Sequence, residues 1–498
     1  MKARKITSVL CTLALVFTMA VSASAQEVAS SSSITSAKTP TAAASVTQKW
    51  ANKYTSSSAY GDMNACGTPL AVGNYIYVTD SNNGKLLKLN AATGATEKSV
   101  ACSNIPPYFS QITYGDGKIY VPQQTATSVQ ISAFDADTLA LVWQSSEVTS
   151  TSGNLQIAAP IIYYNQHIYF GTYVQDASYS YISGKFACLS TTTGTSVWQY
   201  DNASAGYYFA GGTIAGNAIV FGDATGNLVS HDLLNNTVYD TAALGSAVYS
   251  TPCYSNGKVY VSVKNGNLIS VPLKSNSTFD DTAKITTKLG NNLTSSPVVY
   301  NGRVYVAGGG YGATTPFSVL NADTLAIVYQ INDIHSQSTP LISTAYATAD
   351  NHQQVYIYVT NYMDGATNPV TYESTFNTDS SCTYLIKDSA GQTAASYEKL
   401  ANVSVPQSCT QSIVASDAGW LYYYNDSGNL FALAPTAVTP KPVSSTVSTP
   451  AKSTIAAGNT SSSTPNTPTG SSSTAVIFFS AAVVSAAVYC AAKQKRHK

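Results

Sequence analysis

The chain has 498 residues; 10% are charged, against roughly 25% in an average soluble protein, and 44% are hydrophobic, with 35 Tyr and 13 Phe. That composition can fill a large core, which excludes disorder of the whole chain. Formal charge is zero, but seven bases crowd the two ends, so 18 basic residues stand against 25 acidic ones in between and the basic face that nucleic-acid binding needs is missing.

Residues 1–25 read as a secretory signal peptide: Lys2, Arg4 and Lys5, an apolar run over 9–21, then Ser22-Ala23-Ser24-Ala25 as a cleavage site. Residues 26–45 read as a disordered linker. The globular part is expected over 46–435. A Ser/Thr/Pro-rich stretch, 436–474, cannot repay the entropy of ordering and reads as a stalk. It leads into 475–492, an uncharged apolar segment long enough to cross a membrane as a helix, followed by the basic tail 493–498. The expected localisation is exported: a single-pass membrane protein at the cell surface, its body outside. The order of stalk, Pro468-Thr469-Gly470, apolar segment and basic tail resembles the sorting signal that attaches proteins to Gram-positive cell walls, with Thr467 where that pattern has Pro.

Inside 46–435 a unit recurs: small-Pro-apolar, a polar turn with Gly or Asn, then an alternating run. Clear copies are Thr68-Pro69-Leu70 leading to Tyr75-Ile76-Tyr77-Val78, Ala159-Pro160-Ile161 to Ile168-Tyr169-Phe170, Thr251-Pro252 to Val259-Tyr260-Val261, and Ser296-Pro297-Val298 to Val304-Tyr305-Val306. Weaker copies centre on Tyr120, Val220, Tyr358 and Tyr422. Each is a hairpin, most are followed by a third strand such as Gly226-Asn227-Leu228-Val229, and a fourth follows a turn such as Thr193-Gly194 and runs to Trp198. Four antiparallel strands make one propeller blade. The expected fold is all-β, an eight-bladed β-propeller with seven blades as the alternative. Lys49-Trp50 is left over as a fourth strand for the last copy, which would close the ring without a free edge.

The Gly-Asn-Leu, Ala-x-Thr-Gly and Val-Trp elements of this unit resemble the pyrroloquinoline-quinone-like repeat of quinoprotein alcohol dehydrogenases, shared with the outer-membrane-assembly lipoprotein of Gram-negative bacteria. The resemblance covers about 49–435 and implies the propeller. Its dehydrogenase members use the quinone with calcium, a catalytic Asp and adjacent cysteines. Here no two cysteines are adjacent and no acid matches the catalytic one, so no catalytic residue, cofactor or metal is assigned.

Other chemistry is sparse. His167, His231, His335, His352 and His497 stand isolated. Asp80-Ser81-Asn82-Asn83-Gly84, Asp135-Ala136-Asp137 and Asn321-Ala322-Asp323 read as Asx turns rather than calcium loops. Cys66, Cys102, Cys188, Cys253, Cys382 and Cys409 are disulfide candidates in an exported body, with Cys382 to Cys409 favoured. Three aromatic clusters fall outside the strand pattern: Tyr173, Tyr179 and Tyr181; Tyr207, Tyr208 and Phe209; Tyr422, Tyr423 and Tyr424. The expected function is a non-catalytic binding or scaffold propeller whose partners are surface or secreted proteins, or cell-wall polysaccharide. The rivals are a quinone-dependent dehydrogenase and a surface assembly factor.

Overall fold

The computed structural model describes residues 34–35, 39–54, 67–106, 111–309, 313, 315–361, 365–367, 374–376, 383–400, 403–404, 409–426 and 428–436. They form eight sheets each built on four antiparallel strands and a ninth, two-stranded one of Gly365–Thr367 and Ser374–Phe376, and no α-helix occurs among them. Blade 1 is Leu70–Val72, Tyr75–Asp80, Lys85–Asn90 and Thr96–Ala101. Blades 2 to 7 start at the inner strands Thr113–Gly115, Ile162–Tyr164, Gly212–Ala215, Cys253–Ser255, Val298–Tyr300 and Leu341–Ser343. Blade 8 takes Val414–Ala415, Leu421–Tyr424 and Asn429–Pro435 from the end of the body, and its outermost strand, Val46–Lys53, from the beginning. The ring therefore closes as expected from Lys49-Trp50, and it has the eight blades expected rather than seven. No helix among the described residues is long and apolar enough to cross a membrane. The signal peptide, stalk, apolar segment and basic tail lie outside the described residues, except Thr436 at the stalk's start.

Eight hydrophobic clusters each fill the wedge between two neighbouring blades, from the Tyr77, Ile119 and Phe134 cluster of blades 1 and 2 to the Ile76, Tyr422 and Leu430 cluster of blades 8 and 1. The recurring Tyr of the second strand does more than fill space. Tyr77 Oη donates to Ala136 O at 2.6 Å, Tyr169 to Leu233 O at 3.3 Å, Tyr260 to Ala322 O at 2.9 Å and Tyr422 to Ala91 O at 3.0 Å. Each acceptor is the same residue of the next blade's turn between third and fourth strands. The repeat's Trp is a second tie: Trp50 Nε1 donates to Ala91 O at 3.0 Å, Trp143 Nε1 to Thr191 O at 2.9 Å and Trp198 Nε1 to Leu233 O at 2.9 Å. The Thr-Gly of the motif is the platform for that indole. Gly94 and Gly194 have φ of 72°, and a Cβ there would meet the rings of Trp50 and Trp143 at 2.7 and 2.5 Å.

Two departures shape the molecule. Residues near the expected linker's end pack on blade 7: Ile34–Thr35 pairs in parallel with Ile342–Ser343, Thr39 is buried with Oγ1 donating to Ser343 Oγ at 2.7 Å, and Tyr358 Oη donates to Pro40 O. Blade 3 carries an extension, in which the start of the long strand Tyr181–Ser190 pairs with Tyr173–Gln175, and that strand pairs with Leu155–Gln156.

Candidate functional site

In an up-and-down blade the first and third turns reach one mouth of the ring, while the middle turn and the segments between blades reach the other. The Tyr and Trp ties just described all end on the third turns, so the first mouth is occupied by closure. The ninth hydrophobic cluster fills no wedge and lies at the second mouth: Ala158, Tyr173, Tyr208, Phe209 and Tyr249, with Tyr181, Ala224 and Ala247 packed against them. Tyr208, Phe209 and Tyr249 come from segments between blades, Ala224 from a middle turn, and Tyr173 and Tyr181 from the blade 3 extension. Tyr181 stacks on Tyr208 at 4.4 Å and 22°, and Tyr173 and Tyr249 meet Tyr208 edge-on at 5.1 and 5.3 Å. Lys264 Nζ stands 5.2 Å from the centre of the Tyr249 ring. Burial pushes the Tyr249 phenol up to about 12, and Tyr249, Tyr173, Tyr208 and Phe209 are all closed off from solvent. Tyr181 is its half-buried member.

Farther round the same mouth the chemistry turns polar. Three residues ahead of the repeat Pro stand Tyr249, Thr294 and Gln337, before Pro252, Pro297 and Pro340, and blade 8 has Thr410 at the matching place. Thr410 N and Oγ1 both donate to Asp426 Oδ1 at 2.9 Å. Burial nevertheless pushes the Asp426 carboxyl up to about 7. Across blades 8, 1 and 2 the axis is knitted by Gln411 Oε1, which accepts from Thr68 Oγ1 at 3.0 Å and Gln111 Nε2 at 3.1 Å.

The expected aromatic clusters divide. Tyr173, Tyr181, Tyr208 and Phe209 come together at the mouth, whereas Tyr207, Tyr422, Tyr423 and Tyr424 are buried in wedges, and Tyr179 sits in a turn with φ of 64°. Asp80, Asp135 and Asn321 accept hydrogen bonds within their own turns, as Asx turns do. His231 is buried, its ring 4.0 Å from that of Trp198. Cys102, Cys188, Cys253 and Cys409 are buried in four different wedges, and Cys102 and Cys188 are free thiols. Cys66 and Cys382 lie outside the described residues. Sequence reasoning missed Tyr249, Gln337, Thr294 and Asp426. Aligning the copies on their Pro exposes the first three, because that column varies from aromatic to amide where the rest of the repeat is small.

Residues 42–285 match the family model described as outer membrane protein assembly factor BamB. No curated protein matches the chain. Among solved structures the chain is similar to BamB from Moraxella catarrhalis, with 13% identity, TM-score 0.52, and 78% of this chain and 99% of that one covered. It is also similar to the quinohemoprotein alcohol dehydrogenases of Comamonas testosteroni, at 11% identity and TM-score 0.53, and of Pseudomonas putida HK5, at 10% and 0.55; each match covers 84% of this chain and 81% of the other. At such identities the likeness is one of fold, and that fold serves enzymes and non-enzymes alike. No group of three or more His, Cys, Asp or Glu able to hold a metal ion occurs among the described residues.

Proposed function

We propose, for a chain whose body is a pyrroloquinoline-quinone-like β-propeller, that it is a non-catalytic binding protein displayed outside the cell, gripping envelope carbohydrate at its aromatic mouth. The observation that carries this reading is the ninth cluster. Eight clusters are spent on holding blades together, and the remaining one gathers four tyrosines on loops and on an extension of a single blade. Neutral rings with hydroxyl tips suit the alternating apolar faces and polar edges of sugars. Export and tethering are supported by the signal-like residues 1–25 and by the apolar segment 475–492 beyond the stalk.

A protein partner is the second reading, supported by the match to an assembly-factor family over 42–285. The experiment that separates the two incubates the full chain with purified wall polysaccharide and, separately, with solubilised surface proteins of its own organism. Retention on protease-treated polysaccharide, reduced at least tenfold by Tyr181→Ala, is the expected result. Capture of a defined protein set instead makes it a scaffold. Calcium-dependent binding of the quinone with dye reduction by the purified chain overturns the non-catalytic reading, and Asp426 is then the first carboxyl to substitute.

A further inference from the structure

We infer that the side of this mouth formed by blades 6 and 7 is a hydroxyl-binding subsite, in which Gln337 and Thr294 receive the polar edge of a sugar ring. The inference rests on the carbohydrate reading and adds the residues that hold the ligand's hydroxyls. Gln337 is 1% exposed and Thr294 is fully buried, yet Gln337 Oε1 and Nε2 and Thr294 Oγ1 have no hydrogen-bond partner among the described residues. Buried polar side chains are nearly always paired, and an orphan is costly unless something from outside the chain completes it. Some single buried hydroxyls elsewhere also lack partners, but Gln337 leaves both polar ends of its amide open.

The two residues occupy the same repeat position on adjacent blades. Ser295 Oγ donates to Ser338 O at 2.9 Å, so the residues that follow Thr294 and Gln337 in sequence are in contact. At the residue just before each repeat Pro the polar groups are paired across blades: Thr251 N donates to Ser296 Oγ and Thr339 N to Ser412 Oγ, both at 2.9 Å. The open groups are thus an amide and a hydroxyl at matching places on adjacent blades. A primary amide presents one donor edge and one acceptor edge in a plane, which matches a pair of vicinal hydroxyls, each able to give and receive. In a ring of eight, blade 7 stands opposite blade 3, the blade that bears Tyr173 and Tyr181. An oligosaccharide lying across the mouth meets the half-buried Tyr181 ring at one side and hydrogen-bonding groups at the other.

The test uses the full chain in detergent, with cellotetraose and the tetramer of N-acetylglucosamine as probes, followed by calorimetry. Gln337→Leu keeps the volume and Thr294→Val keeps the shape. Each is expected to weaken binding about tenfold, with a thermal midpoint unchanged or raised, because an unpaired polar group has been replaced by an apolar one. Wild-type binding that both variants retain in full overturns the subsite and leaves the carbohydrate reading standing. Binding of neither probe, together with no retention on polysaccharide, overturns the carbohydrate reading and the subsite with it. A midpoint several degrees lower in both variants shows that these groups have partners within the fold and overturns the subsite alone.

Discussion

At the scale of the residue, the recurring Tyr explains why this repeat prefers Tyr over Phe in its second strand. The ring is buried in the wedge, and the hydroxyl satisfies a carbonyl in a turn that belongs to the next blade, where no strand partner reaches it. Tyr260 shows this in isolation: it is 1% exposed, and its Oη meets Ala322 O at 2.9 Å. Tyr260→Phe keeps the ring and strands the carbonyl, so it is expected to cost about 1–2 kcal/mol. Urea denaturation checks this through a lower midpoint at unchanged slope; an unmoved midpoint means the hydroxyl is idle. Between blades 6 and 7 the tie is a side chain instead. Buried Asp388 accepts from Tyr305 Oη at 2.8 Å, from Tyr329 Oη at 2.9 Å and from Arg303 Nη1 at 2.9 Å, and burial still holds its carboxyl above the usual range.

At the scale of the element, the strand Val46–Lys53 decides whether the ring has an edge. Deleting residues 1–53 leaves Asn429–Pro435 with one side unpaired and removes Trp50 from its platform on blade 1. An exposed edge of that length invites association. The expected result is a chain that aggregates and yields to protease at room temperature, whereas deletion of 1–33 preserves every described contact and leaves the thermal midpoint within about 2 °C, as a change below 0.5 kcal/mol gives in a body this large. Equal behaviour of the two deletions removes the strand from its closing role. The strands themselves were legible in the sequence because alternation of apolar and polar residues, broken by Gly and Asn, is a local signal, and the leftover Lys49-Trp50 pointed to closure. The packing of Thr39 and Pro40 was not legible. Their Ser/Thr/Ala-rich surroundings carry no periodic apolar pattern, and their partners Ser343 and Tyr358 lie some three hundred positions away. The mouth was half legible: a run such as Tyr207-Tyr208-Phe209 announces aromatic density, but which ring enters a wedge and which joins the cluster depends on blades not adjacent in sequence.

At the scale of the whole molecule, the ties share one direction. Tyr77, Tyr169, Tyr260 and Tyr422 each reach forward to the following blade, as do Trp50, Trp143 and Trp198. Blade 8 thereby holds blade 1 as blades 1, 2, 3 and 5 hold their successors, and a hydrophobic cluster fills every wedge, so none is a free end. A linear array of repeats frays from its termini, with stability set by nearest-neighbour interfaces; a ring closed this way has no terminus from which to fray. Two thiols report the difference. Cys102 lies in the wedge of blades 1 and 2 beside the closure, and Cys188 in the wedge of blades 3 and 4 away from it. Both are free and buried, and burial pushes each up to about 12, so neither reacts as a thiolate at neutral pH while the ring is intact. Pulsed alkylation in rising urea, read by mass spectrometry, is expected to modify both at one rate with the denaturant dependence of global unfolding. Should Cys102 react well ahead of Cys188, the ring opens at its seam and peels blade by blade, and the forward ties do not make the eight wedges one cooperative unit.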